Sequence, residues 1–118
     1  MSNQAKEMAQ KIAEWIDEKK GKDIDVLNIE NLSTIADYFV LASGTSTTQV
    51  QAIADHIEEK AEKFEEFSLL RKEGYREGRW ILLDFNEVIV HVFHEEERDF
   101  YKLERLWQDA KNINLKRD

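Results

Sequence analysis

Residues 79–94 form two mostly apolar runs on either side of Asn86 and Glu87, which predict two consecutive strands whose side chains alternate between the sheet faces with a period of two. Both arms are rich in β-branched and aromatic residues, which strands favour. Asn86 and Glu87 between them predict a tight turn, because Asn tolerates the positive φ that a two-residue hairpin demands. Such a turn pairs Phe85 with Val88, Asp84 with Ile89, Leu83 with Val90, Leu82 with His91 and Trp80 with Phe93. One face then collects Ile81, Leu83, Phe85, Val88, Val90 and Val92, is wholly apolar, and is expected to lie under helices. The other collects Trp80, Leu82, Asp84, Ile89, His91 and Phe93. A slip of one residue would exchange the faces.

Elsewhere the period changes. Ala5, Met8, Ala9, Ile12, Trp15 and Ile16 recur at helical spacing. Lys19, Lys20 and Gly21 predict the end of that helix, with Gly21 as the left-handed cap. Residues 24–29 read as a short strand, and 30–36 as a polar connection with Leu32 and Ile35 turned inward. Residues 37–42 read as a strand, and their unbroken apolar run from Tyr38 to Ala42 predicts a central position buried on both faces. After Ser43-Gly44-Thr45-Ser46, Ser46 and Gln49 have the spacing of a capping box. The helix that follows buries Val50, Ile53, Ala54, Ile57, Ala61 and Phe64 and turns its glutamates to water. A strand near residues 68–74 precedes the hairpin. Glu95, Glu96 and Glu97 suit the start of a last helix, with Phe100, Leu103, Leu106 and Trp107 as its stripe, and a frayed polar tail from about residue 112. The order α-β-β-α-β-β-β-α predicts an α/β domain: a mixed five-stranded sheet flanked by helices, with residues 1–118 as one domain.

The mixed face has two readings. It is a second buried layer whose Asp and His are satisfied internally, or a docking surface of the kind that Trp-centred patches provide. Composition narrows the partners. A net charge of −8 argues against a broad phosphate-binding footprint and permits a basic protein partner. No cysteine is present, so disulfides and thiolate metal sites are excluded. The polar start and the lack of long apolar runs point to a cytoplasmic protein without a membrane partner.

Candidate chemistry is sparse. The turn from Ser43 to Ser46 could hold an anion at a helix start, as in nucleotide-binding enzymes, but the paired strand carboxylates that hold metal in nucleotidyltransferases are missing, and capping is the better account of the turn, since Ser and Thr are routine at helix starts. His91 and His94, three apart on a strand, point to opposite faces and do not converge on a metal. His56 reads as a surface residue. Arg71, Lys72, Arg76 and Arg79 lie near Tyr75 and Trp80, so they could contact RNA or simply charge a sheet edge.

An ordered set of motifs goes further. It comprises Asp37-Tyr38-Phe39-Val40-Leu41-Ala42-Ser43-Gly44-Thr45-Ser46, Ile53-Ala54-Asp55, Glu73-Gly74, Gly78-Arg79-Trp80-Ile81-Leu82-Leu83-Asp84, Val88-Ile89-Val90-His91-Val92-Phe93 and Tyr101-Lys102-Leu103-Glu104-Arg105-Leu106-Trp107. Together these resemble the ribosomal silencing factor family, RsfS, which includes the plastid Iojap protein, from about residue 5 to residue 110. Asn86 stands where the family often has Gly, and both suit a tight turn. The resemblance implies a nucleotidyltransferase-like fold without catalytic carboxylates, no enzymatic activity and no cofactor. It implies binding to the large ribosomal subunit through its fourteenth large-subunit protein. That binding would hinder joining of the small subunit and lower translation when nutrients are short. A role in large-subunit assembly with minor ribosomal RNA contact is the alternative. By similarity, Trp80, Asp84 and Phe85 lie at or beside the contact. Trp80 is then the expected anchor. Leu82, Ile89 and Phe93 would extend the apolar surface, Asp84 and Glu73 would meet basic groups, and His91 would orient its neighbours. The same face offers a homodimer interface in the free protein.

Overall fold

The computed structural model describes residues 3–101 and 111–112. The first helix, α1 (Asn3–Glu18), is followed by β1 (Lys22–Asn28), β2 (Tyr38–Gly44), α2 (Thr47–Ala61), β3 (Arg71–Glu73), β4 (Trp80–Asp84), β5 (Val88–His94), α3 (Glu95–Tyr101) and β6 (Lys111–Asn112). The strands form one sheet in the order β3-β4-β5-β2-β1-β6. Among the described residues only β2 and β5 run parallel, so the sheet is mixed. The five expected strands are present, and the two-residue β6 adds an edge beside β1. The expected stripe residues Leu103, Leu106 and Trp107 and the tail beyond Asn112 lie outside the described residues.

β2 is buried along its whole length, as its apolar run requires of a strand with neighbours on both sides. The hairpin has the expected register, with Trp80 opposite Phe93, Leu82 opposite His91 and Asp84 opposite Ile89. Asn86 takes φ 78° at the turn. The helix-side face is closed by α1 and α2. Ile12, Ile16, Ile53 and Ile57 are fully buried there against Ile81, Leu83, Val90 and Val92. Trp15 packs on Phe67 at 5.6 Å between ring centroids and Phe67 meets Phe85 at 6.4 Å, which seals the lower end of that core.

The helix ends show local chemistry that differs from expectation at one point. At the close of α1, Gly21 N–H donates to Ile16 O at 3.0 Å and Lys20 N–H to Asp17 O at 2.9 Å, the double bond of a Schellman cap. The left-handed residue is Lys20 (φ 63°), not Gly21. Gly21 is required for space instead: a Cβ there would stand 2.3 Å from Ile16 Cγ2. The connection after β1 also departs from expectation. Leu32 and Ile35 are 45% and 60% exposed, while Ile29 and Ala36 turn inward. Leu32 N–H and Ser33 N–H both bond to Ile29 O, and this tight turn spends the inward positions on its two ends.

Candidate partner-binding site

The second face of the sheet carries a smaller apolar layer built from Leu27, Ile29, Ala36, Phe39, Leu41, Ile89 and Phe93, with Trp80 and Leu82 packed against it. Strand alternation puts these side chains on one side, and the pairing of β2 with β5 sets Phe39 beside Ile89 and Leu41 beside His91. Charged hydrogen bonds attach α3 here. Arg98 is buried and donates to Asp23 O at 2.6 Å, Ser43 Oγ at 3.2 Å and Asp25 Oδ2 at 2.7 Å.

Trp80 is half-buried at the start of β4. Its ring lies 5.0 Å from Phe93, and its Nε1–H donates to His91 Nδ1 at 3.1 Å. His91 stacks on Phe93 at 6.0 Å and meets the edge of Phe39 at 4.7 Å. Burial lowers the imidazole pKa from 6.5 to about 4, so the ring is neutral at neutral pH. Because Nδ1 accepts from the indole, the ring proton sits on Nε2, which is buried with no hydrogen-bond partner among the described residues. This bond fixes the orientation of the indole.

The site residues expected from the sequence fall into three groups. Trp80, Leu82 and Asp84 are half-buried and reach the surface of the second face. Ile89, His91 and Phe93 share that face but are buried beneath it, Phe93 completely, so Phe93 supports Trp80 from below and does not extend the surface. Phe85 lies on the opposite face at 2% exposure against Phe67, and does not reach around the turn. The even spacing from Leu83 to Phe85 holds it in the helix-side core. Glu73 is exposed on β3 opposite Leu82. Asp84 and Glu73 share Arg71 of their own chain, at 3.8 Å and 3.3 Å. Asp84 Oδ1 also accepts from Asn86 N–H at 2.8 Å and stabilises the turn.

The other candidate chemistry dissolves into structural roles. Ser46 Oγ accepts from Gln49 N–H at 3.0 Å as the cap of α2. Gln49 Oε1 accepts from Thr45 N–H at 2.7 Å, and its Nε2–H donates to Lys19 O and Lys20 O at 3.2 Å. That one amide joins the start of α2 to the end of α1 and occupies donors that an anion would need. Gly44 packs against Val50, where a Cβ would stand 2.9 Å from Cγ2. The basic cluster is divided. Lys72 pairs with Glu58 at 2.7 Å, a bond that raises its pKa, and Arg79 is likewise raised by Glu97 and Glu96. Arg71 is shared as described, and Arg76 is exposed. His94 Nδ1 accepts from Glu96 N–H at the start of α3. His56 is half-buried, not a surface residue, and bonds to Glu18 at 2.7 Å across α1 and α2. Among the described residues, no three His, Asp or Glu side chains converge as metal ligands. No helix among them is long and apolar enough to cross a membrane.

The fold and this face define a mixed α/β domain with a hydrogen-bonded tryptophan set over a small aromatic layer. The family model for "Ribosomal silencing factor during starvation" matches residues 2–118, and the chain belongs to this family. It is 43% identical over 115 residues to the ribosomal silencing factor RsfS of Halalkalibacterium halodurans, covering 98% of this chain and 96% of that protein. It is 30% identical over 92 residues to the mouse protein named "Mitochondrial assembly of ribosomal large subunit protein 1", covering 76% of this chain and 40% of that one. A crystal structure of a Chromobacterium violaceum protein superposes with a TM-score of 0.84 at 29% identity, covering 96% of this chain and 92% of that one. The family is one of ribosome-associated regulators of translation, and the bacterial relative is named as a silencing factor rather than an enzyme.

Proposed function

We propose that this protein binds the large ribosomal subunit through the second face of its sheet and sterically blocks joining of the small subunit. Translation then falls under nutrient limitation, in the cytoplasm and without catalysis. The partner is the subunit's fourteenth large-subunit protein, and residues 1–118 act as a single domain. The observation that carries this reading is Trp80. It is a large half-buried aromatic whose indole is oriented by His91 and backed by Phe93, in a chain of the ribosomal silencing family. A pre-oriented indole contributes contact area at low entropic cost, which is how aromatic anchors act in interfaces. Leu82 flanks it. Asp84 and Glu73 hold Arg71 between them and present a net negative rim to a basic partner. His91, Ile89 and Phe93 support this surface from below, and Phe85, expected at the contact, lies beside it in the helix-side core at the end of β4.

Co-sedimentation with purified large subunits, read alongside a subunit-joining assay, tests the proposal. Stoichiometric binding and blocked joining are expected. Trp80→Ala should weaken binding by roughly 30- to 1000-fold, equivalent to about 2–4 kcal/mol. Undiminished binding by a folded Trp80→Ala chain removes Trp80 from the interface. A second reading, assistance in assembling the large subunit, is favoured by the name of the mouse relative. Binding that leaves joining intact would support it. Any RNA contact would then fall to Arg76, because the other three cations of that cluster are engaged with carboxylates.

A further inference from the structure

The three large apolar side chains that stand out among the described residues are Leu32, Ile35 and Leu70, at 45%, 60% and 62% exposure. All three lie at one end of the sheet. Asp37 N–H and Tyr38 N–H both donate to Glu87 O, at 2.9 and 3.1 Å, which draws the connection carrying Leu32 and Ile35 against the turn between β4 and β5. Leu70 N–H donates to Asp84 O at 2.7 Å on the other side of that turn. The strand order places β3 three positions from β2 and four from β1, so the apolar points span roughly 14–19 Å at the usual strand spacing. Trp80 sits at the opposite end of β4.

An open cleft of about 300 Å³ lies at the same end, between the start of α1 and the turn. Leu70 gives it an exposed apolar edge over the buried Met8 and Phe85, and the rest of its lining is polar, with Glu66 and Glu87 upon it. Glu30 and Asp37 add charge near Ile35. Burial first, and then these two carboxylates, push the Tyr38 hydroxyl pKa up. Among the described residues, no cation pairs with Glu30, Asp37, Glu66 or Glu87.

We propose that this end of the sheet is a second docking surface, and that it takes a basic amphipathic helix of a protein partner. The carboxylates repel phosphate, so nucleic acid and anionic lipid are the wrong chemistry. A mostly polar cleft with two carboxylates beside the exposed Leu70 fits the charged head of an arginine or lysine, whose aliphatic stem would lie along Leu70. Apolar residues about three turns apart on a helix stand about 16 Å from one another, which falls within the roughly 14–19 Å from Leu70 to Ile35 and Leu32. The Leu32, Ile35 and Leu70 patch lies at the opposite end of β4 from Trp80, so loss of binding at one can be read apart from loss at the other.

The test is an NMR titration of the isotope-labelled chain with a synthetic helical peptide carrying leucines on one face and arginines at its flanks. The same peptide with glutamate for arginine, and a single-stranded RNA oligomer, serve as competing probes. Amide shifts are expected to concentrate at residues 32–37, at Leu70 and at Asn86 and Glu87. The doubly substituted Ile35→Ser, Leu70→Ser chain should bind at least ~10-fold more weakly, a fall of the size that removing interface anchors brings. Glu66→Gln with Glu87→Gln should weaken binding too, whereas Glu77→Gln in the distant turn before β4 should not. These side chains are exposed or line an open cleft, so the variants keep the wild-type spectral dispersion. Shifts spread along the glutamates of α2, shifts centred on Trp80 and Leu82, equal binding of the acidic peptide, the same shifts with RNA, or no binding at millimolar peptide would each overturn the proposal. Concentration-dependent shifts at these residues without peptide would replace it with self-association.

Discussion

Leu83 is fully buried between the sheet and the helices, whereas Leu82, one residue earlier, is half-buried on the opposite face beside Trp80. The two side chains are chemically identical and adjacent in the chain. What separates them is the pleat, and beyond it what each face was given to pack against. The helix-side face meets two amphipathic helices and contains only hydrocarbon. The second face mixes hydrocarbon with an indole, an imidazole and a carboxylate, and only part of it is buried. One hairpin thus serves as scaffold on one side and as candidate interface on the other, and the two roles are separable by substitution.

The largest expected effect breaks the scaffold side. Leu83→Ala removes a fully buried side chain and should cost roughly 2–5 kcal/mol in urea unfolding. Ribosome binding by the fraction that remains folded should be near wild type, and a specific loss of binding would show that the two faces are not separable. Next comes the pH response of the second face. The unfolded His91 ring takes up a proton near pH 6.5 and the folded ring only at about 4, so between these values the unfolded chain binds more protons. His91 therefore allows full stability above about pH 6.5 and lowers it as pH falls towards 4, by on the order of 3 kcal/mol. Unfolding midpoints across that range should slope for the wild type and flatten in His91→Gln. Parallel curves would mean that the folded ring titrates normally.

Smaller effects sharpen the contrast. Leu82→Ala should cost about 1 kcal/mol of stability, less than Leu83→Ala because Leu82 is only partly buried, yet weaken large-subunit binding by roughly 5- to 10-fold. Equal stability losses at positions 82 and 83 would contradict the contrast in burial. Asn86→Gly should change stability by less than about 1 kcal/mol, because glycine accepts the observed positive φ without strain but loosens the unfolded chain. A large loss there would mean that the Asn86 side chain, and not its backbone, sets the register.

Much of this contrast was legible in the residues. Alternation from Trp80 to Phe93 and the tolerance of Asn86 for positive φ determine both faces, since a period of two admits one inward set for a given turn. The apolar run of β2 likewise revealed its central place. Other features depend on partners far away in sequence. Nothing near Phe93 says that Ser43, Asp23 and Asp25 would hold Arg98 and seat α3 beside it, because those bonds join residues 55 to 75 positions apart. Depth beneath a face is equally non-local: Trp80 and Phe93 are opposite and both aromatic, but only the packing around them leaves one accessible and the other sealed. Lys20 shows a third limit. The cap was readable from Lys-Lys-Gly, but the left-handed residue fell one place earlier, because Gly21 was needed where the backbone passes Ile16.

The parallel pairing of β2 with β5 has a consequence during synthesis. Tyr38 must wait for Val88, fifty positions later, before the middle of the sheet can close. A nascent chain can form α1, the β1–β2 pair and α2 early, but one long edge of β2 then stays unpaired until β5 has left the exit tunnel. Closing so long a loop is entropically slow and leaves an apolar strand edge open to wrong pairing in the meantime. The last strand of the hairpin to be made is therefore the one that ends the vulnerable period, and slower elongation past residue 94 would lengthen the chain's exposure to aggregation and to chaperones.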